Sequence, residues 1–208
     1  MSKLSEAKTI GGIGSILTIL FFIPAVGWIL AIVGAIMTLI AIKYISDAVN
    51  DSTIFRNMIV AVVLAVVGLI VGVVVILASV LNFVGLSRLG SISSIQRVAP
   101  TTGGIVGLVV GVIAGLAVLW VLLIVSAIFA RMSYNSIASG IGVNMFRTAG
   151  LLYLIGAATT IVIIGFIIVF VAIILNIVAF FSLPDVPPQP PAGQIPPMQA
   201  PPPPSPQM

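Results

Sequence analysis

The chain has no cysteine and no histidine. It can therefore form no disulfide, and it offers neither a thiolate nucleophile nor an imidazole metal ligand. Charge is almost as scarce, at 6% of residues, with four acids against eight bases. A nucleophile–base pair of the usual kind cannot be assembled from what is left. Proton- and ion-coupled transporters normally place an Asp, Glu, Lys, Arg or His at bilayer depth. The long uncharged runs hold none of these; their one titratable side chain is Tyr153, a phenol that is neutral at physiological pH. The expectation is a non-enzyme with no catalytic residue, no cofactor and no metal site.

What fills the chain instead is hydrocarbon. Hydrophobic residues make up 61% of it, which leaves too little polar surface to cover a globule in water. Several apolar runs exceed the roughly 20 residues that a helix needs to cross a hydrocarbon core of about 30 Å. They are continuously apolar and do not alternate, which excludes a transmembrane β-barrel. The fold class read from this is all-α, a polytopic helical bundle in a lipid bilayer. The five arginines and three lysines sit singly at the edges of the runs. That placement is a topology signal and not a phosphate-binding patch, so no nucleic-acid partner is expected.

The first run, residues 9–42, is too long for one comfortable crossing and is interrupted by Ile23-Pro24-Ala25-Val26-Gly27-Trp28, which is turn chemistry. It is too long for the apolar core of a signal peptide and is read as retained. Two helices are expected, over residues 6–23 with Ser5 as cap and Glu6 in the first turn, and over 28–45. Asp51 or Ser52 is placed to cap a third helix over 54–84, whose Ala61, Ala65, Gly68 and Gly72 line one face. Residues 85–102 alternate Leu86, Leu89, Ile92, Ile95 and Val98 with serines and Arg88 and Arg97, the pattern of a short helix lying in the interface. A fourth helix over 103–130 opens on Gly103, Gly107, Gly111 and Gly115, a tandem small-xxx-small stripe. The face of the third helix is its expected partner; a narrow pore or a homodimer seam are the alternative uses, and a homo-oligomer stays open. A second polar stretch, 131–146, precedes another uncharged run, 148–184.

Laid over each other, the two long runs correspond at their landmarks. Lys8-Thr9-Ile10-Gly11 lies over Arg147-Thr148-Ala149-Gly150 and, with one residue removed near the turn, Gly27-Trp28 lies over Gly165-Phe166 and Asp47 over Asp185. This reads as three helix pairs, the outer two hairpins being internal repeats. Loop charges agree. If each long run is a hairpin, Lys3, Lys8, Lys43, Arg56, Arg131 and Arg147 share one side and only Arg88 and Arg97 the other, whereas single crossings split them evenly. Six helices with both termini cytoplasmic follow; a re-entrant hairpin gives the same charge count.

Several smaller signals complete the reading. The segment from Pro184 onward carries twelve of the fourteen prolines; it should be an extended, disordered cytoplasmic arm whose Pro-x-x-Pro spacings suit docking of a protein partner on an aromatic groove. Asp47, Asn50 and Asp51 could offer oxygen ligands to a cation, but helix capping and pairing with Lys43 and Arg56 account for them. Ser15, Thr18, Thr38, Ser79, Asn82, Ser126, Thr159, Thr160 and Asn176 are the polar atoms inside the apolar runs, and Asn176, over Thr38 in the repeat, most needs an interhelical partner. Trp28 and Trp120 are expected as interface anchors or packing residues and not as ligand-binding rings.

Glu6-Ala7-Lys8-Thr9-Ile10-Gly11-Gly12-Ile13-Gly14, Ile23-Pro24 through Gly27-Trp28, Lys43-Tyr44-Ile45-Ser46-Asp47, Ile54-Phe55-Arg56-Asn57, Phe146-Arg147-Thr148-Ala149-Gly150-Leu151-Leu152 and Ala179-Phe180-Phe181-Ser182 together resemble the archaeal membrane family catalogued as domain of unknown function 996. The resemblance covers residues 3–185, implies a membrane protein without an assigned activity, and carries over no catalytic residue. The chain thus divides into an integral membrane domain, 1–185, and a disordered proline-rich cytoplasmic tail, 186–208. The expected function is a non-catalytic structural or interaction protein of the cell membrane; the alternative is an uncoupled channel or carrier for a small neutral solute.

Overall fold

The computed structural model describes residues 2–84, 102–162 and 164–186. Among them are six α-helices and no strand: α1 (Lys3–Ile19), α2 (Gly27–Val49), α3 (Ser52–Val84), α4 (Thr102–Ile141), α5 (Asn144–Thr159) and α6 (Ile164–Phe181), with a 3-10 turn at Leu20–Phe22. The interfacial helix expected before α4, with Arg88 and Arg97, and the proline-rich tail lie outside the described residues.

Local chemistry sets most boundaries. Ser2, not Ser5, caps α1: its Oγ accepts the Ser5 N–H at 3.2 Å, so the helix starts three residues earlier than expected, with Glu6 still in the first turn. The 3-10 turn gives way to extended backbone at Ile23, the conformation a following proline imposes. Ala25 then takes a left-handed φ of 70°, and Trp28 Nε1 donates to the Ala25 carbonyl at 3.1 Å. At the far end of α2, Asn50 is the left-handed cap, its N–H donating to the Ser46 carbonyl. Asp51 Oδ1 accepts the Thr53 N–H at 2.9 Å, the cap expected for α3.

The main departure from expectation is α4. It does not stop near Ala130 but continues through the polar stretch to Ile141. Tyr134, Ile137, Ala138 and Ile141 recur at helical spacing and are all buried, and the Ser133 hydroxyl donates to the Ile54 carbonyl at 2.8 Å, so one face of this segment packs inward. The helix ends where Gly142 takes a φ of +82°.

Each helix packs on the next, and α6 packs on α1, closing the six into a ring. Consecutive partners run antiparallel. As numbers rise along α3 they fall along α4: Ser133 bonds the Ile54 carbonyl, the Ser126 hydroxyl donates to the Ala61 carbonyl at 2.7 Å, Gly115 faces the Gly72 carbonyl, and Gly111 faces Ser79. The glycine stripe of α4 thus meets the small face of α3 at Gly115, against Gly72, as expected, while Gly111 meets Ser79 beyond that face and Gly107 faces open space.

Tight contact is concentrated at one end of the bundle. Leu4, Ala7, Ile42, Ile45, Ile54, Ile137, Phe146, Phe180 and Leu183 form a continuous core there, with the Phe180 ring edge-on to Phe146 at 5.2 Å and lying where Gly11 leaves it room. Lys3 and Lys43 reach Asp47 at this end, at 3.8 and 2.6 Å, and Lys8 reaches Asp185 at 3.8 Å. Away from it α3 and α4 bury little except their mutual seam. Ile113 is 61% exposed and Val110 60%. Water does not tolerate an apolar surface this extensive, and lipid does. Among the described residues four helices are long and apolar enough to cross a membrane: α2, α3, α4 and α6; α1 and α5 have 17 and 16 residues.

Both outer helix pairs turn on a glycine. A Cβ on Gly27 would run into the carbonyls of Leu20 and Phe21, and one on Gly165 into the backbone of Thr159 and Thr160. These are matching positions when the two long runs are laid over each other. The same alignment sets Gly34, Ala41, Ile42 and Ile45 of α2 over Ala172, Ala179, Phe180 and Leu183, and every one of these eight residues is buried.

Candidate functional site

The apolar core gives way, part way up the ring, to a half-open cavity of about 160 Å³ to which all six helices contribute. Ser15 and Thr18 lie two to three turns along α1 beyond Lys8, hence about 10–15 Å from the charged end. Facing them, α6 supplies Ile173 and Asn176, and α2 supplies Ala35, Thr38, Leu39 and Ile42. Met58 and Val62 of α3 close one side, and Tyr134 of α4 and Tyr153 of α5 close the other, their rings stacked with centroids 6.0 Å apart.

Two pairs of positions that correspond when the two long runs are laid over each other meet in the cavity wall. Ala35 lies over Ile173 and Thr38 over Asn176, and all four line the space. Asn176 is 3% exposed. Its Nδ2 donates to Ser15 Oγ at 3.1 Å, the interhelical partner that an amide in an apolar run requires. The Tyr134 phenol lies near the same carboxamide, but Asn176 Oδ1 has no hydrogen-bond partner among the described residues. An orphan acceptor at this depth is costly, since desolvation without a bond is worth about 1–3 kcal/mol. Close by, the Thr18 hydroxyl donates to the Gly14 carbonyl at 2.9 Å, where Gly14 and Gly34 let α1 and α2 approach closely.

Of the nine polar residues singled out inside the apolar runs, four converge on this cavity: Ser15, Thr18, Thr38 and Asn176. The other five bond backbone. Ser79 and Asn82 donate to carbonyls one turn back on α3, Thr159 and Thr160 do the same on α5, and Ser126 ties α4 to α3. Tyr134 is a lining residue that composition assigns to a polar stretch; its spacing from Ile137, Ala138 and Ile141 is the signal that marks it as helical and inward-facing. Asp47, Asn50 and Asp51 do not form a ligand cluster. Asp47 pairs with lysines, Asn50 caps α2 and Asp51 caps α3. Among the described residues no group of three or more acid, His or Cys side chains comes together. Trp120 Nε1 donates to the Ala158 carbonyl at 3.2 Å, so this ring fastens α4 to α5. The cavity's chemistry is therefore neutral: hydroxyls, one carboxamide, two phenol rings and hydrocarbon.

The family described as "Protein of unknown function (DUF996)" matches residues 30–174, well over half of the chain. The chain is also similar to an uncharacterized protein of Methanocaldococcus jannaschii, at 37% identity over 183 residues, covering 88% of this chain and 94% of that one. No solved structure matches.

Proposed function

The chain belongs to the family of proteins of unknown function 996, and from that premise we propose that it is a non-catalytic, multi-pass integral membrane protein of the structural or interaction type, with both termini in the cytoplasm. The observation that carries this reading is where the charges fall. Lys3 and Lys8 pair with Asp47 and Asp185 at the end of the bundle that holds the core, and Lys43 joins them. The opposite tips of the two outer hairpins, Ile23 to Trp28 and Thr159 to Ile164, carry no charge at all. Lysine and arginine are retained on the cytoplasmic side, so that charged end faces the cytoplasm and the α3–α4 pair crosses. The matching burial on α2 and α6 and the matching tip glycines support an ancestral duplication of the outer hairpins.

The absence of native cysteine makes a labelling test clean. Single cysteines replacing the exposed Ser52 and Ser139 should react with an impermeant maleimide only from the cytoplasmic side, and one replacing Ser93 only from outside. Reaction of the first two from outside would invert the topology. A cysteine replacing Val26, at the first tip, separates the two hairpin forms: labelling from outside means a full crossing, and protection from both sides means a tip that ends within the membrane.

Interaction is assigned to the cytoplasmic loops and to the proline-rich arm. Deleting residues 187–208 should leave insertion intact and remove a co-purifying protein; an unchanged set of partners removes the arm from the reading. The cavity favours a second reading, an uncoupled channel or carrier for a small neutral solute. Flux of glycerol or urea into liposomes that does not change with the purified protein counts against it for those solutes.

A further inference from the structure

We propose that the crevice between α4 and α5, at the charged end of the bundle, binds the headgroup phosphate of an anionic phospholipid through Arg131 and Arg147. Bases and acids are unevenly placed along the chain. All three lysines lie in the first 51 residues with Glu6, Asp47 and Asp51, and the fourth acid is Asp185. All five arginines lie between Asp51 and Asp185, a stretch with no acid at all. The lysines accordingly find carboxylates: Lys3 and Lys43 reach Asp47, and Lys8 reaches Asp185. Arg131 and Arg147 make no ion pair and no side-chain hydrogen bond among the described residues. Arg147 is the position that lies over Lys8 when the two long runs are compared, yet of the two only Lys8 has a carboxylate to meet.

The fold brings together two arginines that stand singly in the sequence. A Cβ on Gly150 of α5 would lie 3.2 Å from the Arg131 Cα of α4. Arg147 precedes Gly150 by three residues, so it shares that face of α5 about one turn, roughly 5 Å, nearer the charged end. Arg147 is exposed and Arg131 half-buried. Two guanidinium groups on long stems, rooted in facing helices, can therefore meet on one phosphate, whose oxygens suit their paired N–H donors. The start of α5 adds field of the same sign, since no side chain caps it and no acid lies in its first turn. A lipid fits better than a soluble anion because of what lies on the other side of the arginines. Ile128, one turn before Arg131, and Leu151, one turn after Arg147, are 42% and 39% exposed. Both arginines also stand at the edge of an uncharged run, Arg131 closing that of α4 and Arg147 opening that of α5. That is the depth at which a bilayer places its phosphates, and basic pockets between helices there hold anionic headgroups. A phosphodiester with acyl chains beneath it matches arginines with hydrocarbon beneath them.

The test uses the full chain in dodecylmaltoside micelles, with dioleoylphosphatidylglycerol as the probe. Dioleoylphosphatidylcholine, with the same chains and a choline cation that the arginines repel, is the comparison. Bound lipid is counted by native mass spectrometry across a titration, which does not depend on the side of a membrane that the charged end faces. Phosphatidylglycerol should bind saturably and phosphatidylcholine more weakly. Arg131→Gln and Arg147→Gln should each weaken phosphatidylglycerol binding about tenfold, the low end for losing a hydrogen bond to a charged group. Arg56→Gln removes the same charge from an exposed position on α3 and should change binding by less than about twofold, as screened surface charges do. Equal losses in all three variants overturn the proposal, because they report only the general attraction of a basic surface, and so does the absence of loss in the α4 and α5 variants. Equal binding of the two lipids also overturns it, as does displacement of phosphatidylglycerol by an equal concentration of inorganic phosphate, which would assign the crevice to a soluble anion. Arg147 is exposed and unpaired, so Arg147→Gln against Arg56→Gln decides the matter if Arg131→Gln fails to fold.

Discussion

The two outer hairpins, α1–α2 and α5–α6, share a frame and differ in what they place inside it. Both turn on a glycine pressed against the backbone of the preceding helix, Gly27 on Leu20 and Phe21, and Gly165 on Thr159 and Thr160. Both bury the same positions at the core end, Ala41, Ile42 and Ile45 in one and Ala179, Phe180 and Leu183 in the other. Each ends in an aspartate tied to a lysine of α1. Yet the first tip is built on Pro24 and a left-handed Ala25, and the second runs through Thr160 and Ile161 with neither among its described residues. The first presents Thr38 to the axis where the second presents Asn176. Positions fixed by backbone approach and core packing are alike, and positions that face the cavity are not.

The shared part can be broken most strongly at its glycines. Gly27→Val and Gly165→Val each place methyl groups against backbone, which cannot move aside as a side chain can, and each should cost more than about 3 kcal/mol. Loss of the monodisperse peak on size-exclusion chromatography and of the thermal transition is the readout; a tolerated Gly165→Val with an intolerant Gly27→Val would show that the tips are not equivalent. Next in size is the core pair. Phe180→Ala removes a ring packed on Phe146 and Gly11 and should cost about 3–5 kcal/mol, and Ile42→Ala about 2–5 kcal/mol, measured by reversible unfolding in mixed micelles.

Smaller effects sharpen the comparison with the central pair, α3–α4. Ser126→Ala and Ser133→Ala remove hydroxyl bonds to Ala61 and Ile54 carbonyls, and each should cost only about 0.6 kcal/mol, the average for interhelical bonds in lipid. A loss several times larger would mark these serines as the principal fastening of the inner end of the pair. Smallest of all are the aspartates. Asp47→Asn and Asp185→Asn break ion pairs that lie open to solvent, where salt screens them, so melting temperature should not change measurably at high ionic strength. A clear drop for only one of them would mean that the N-terminal helix is held unequally by the two outer hairpins.

Much of the fold is legible in the order of residues. Pro24 and Gly27 mark the first turn, Asp51 the cap of α3, and the glycines of α4 its packing against α3, because each depends on a residue's own backbone preference or on a local spacing. The extension of α4 is not legible in this way, because Arg131, Asn135 and the serines around them have the composition of a loop; burial of Tyr134, Ile137 and Ile141 against the other helices overrides that. The cap of α1 falls on Ser2 and not on Ser5, a choice that composition leaves open because either hydroxyl can accept a backbone N–H.

Sequence by itself determined that the described chain is helical and suited to lipid, where the turns before α2 and α3 fall, and that its two long runs match, since hydropathy, proline and glycine act locally. Only the tertiary structure decided that the six helices close into a ring, and that Ser15, Thr18, Thr38 and Asn176 face one cavity while Ser79, Ser126 and Thr159 spend their hydroxyls on carbonyls. Which way a polar side chain points inside a membrane bundle is set by the rotation of each helix against its neighbours, and in continuously apolar runs periodicity carries almost no record of that rotation.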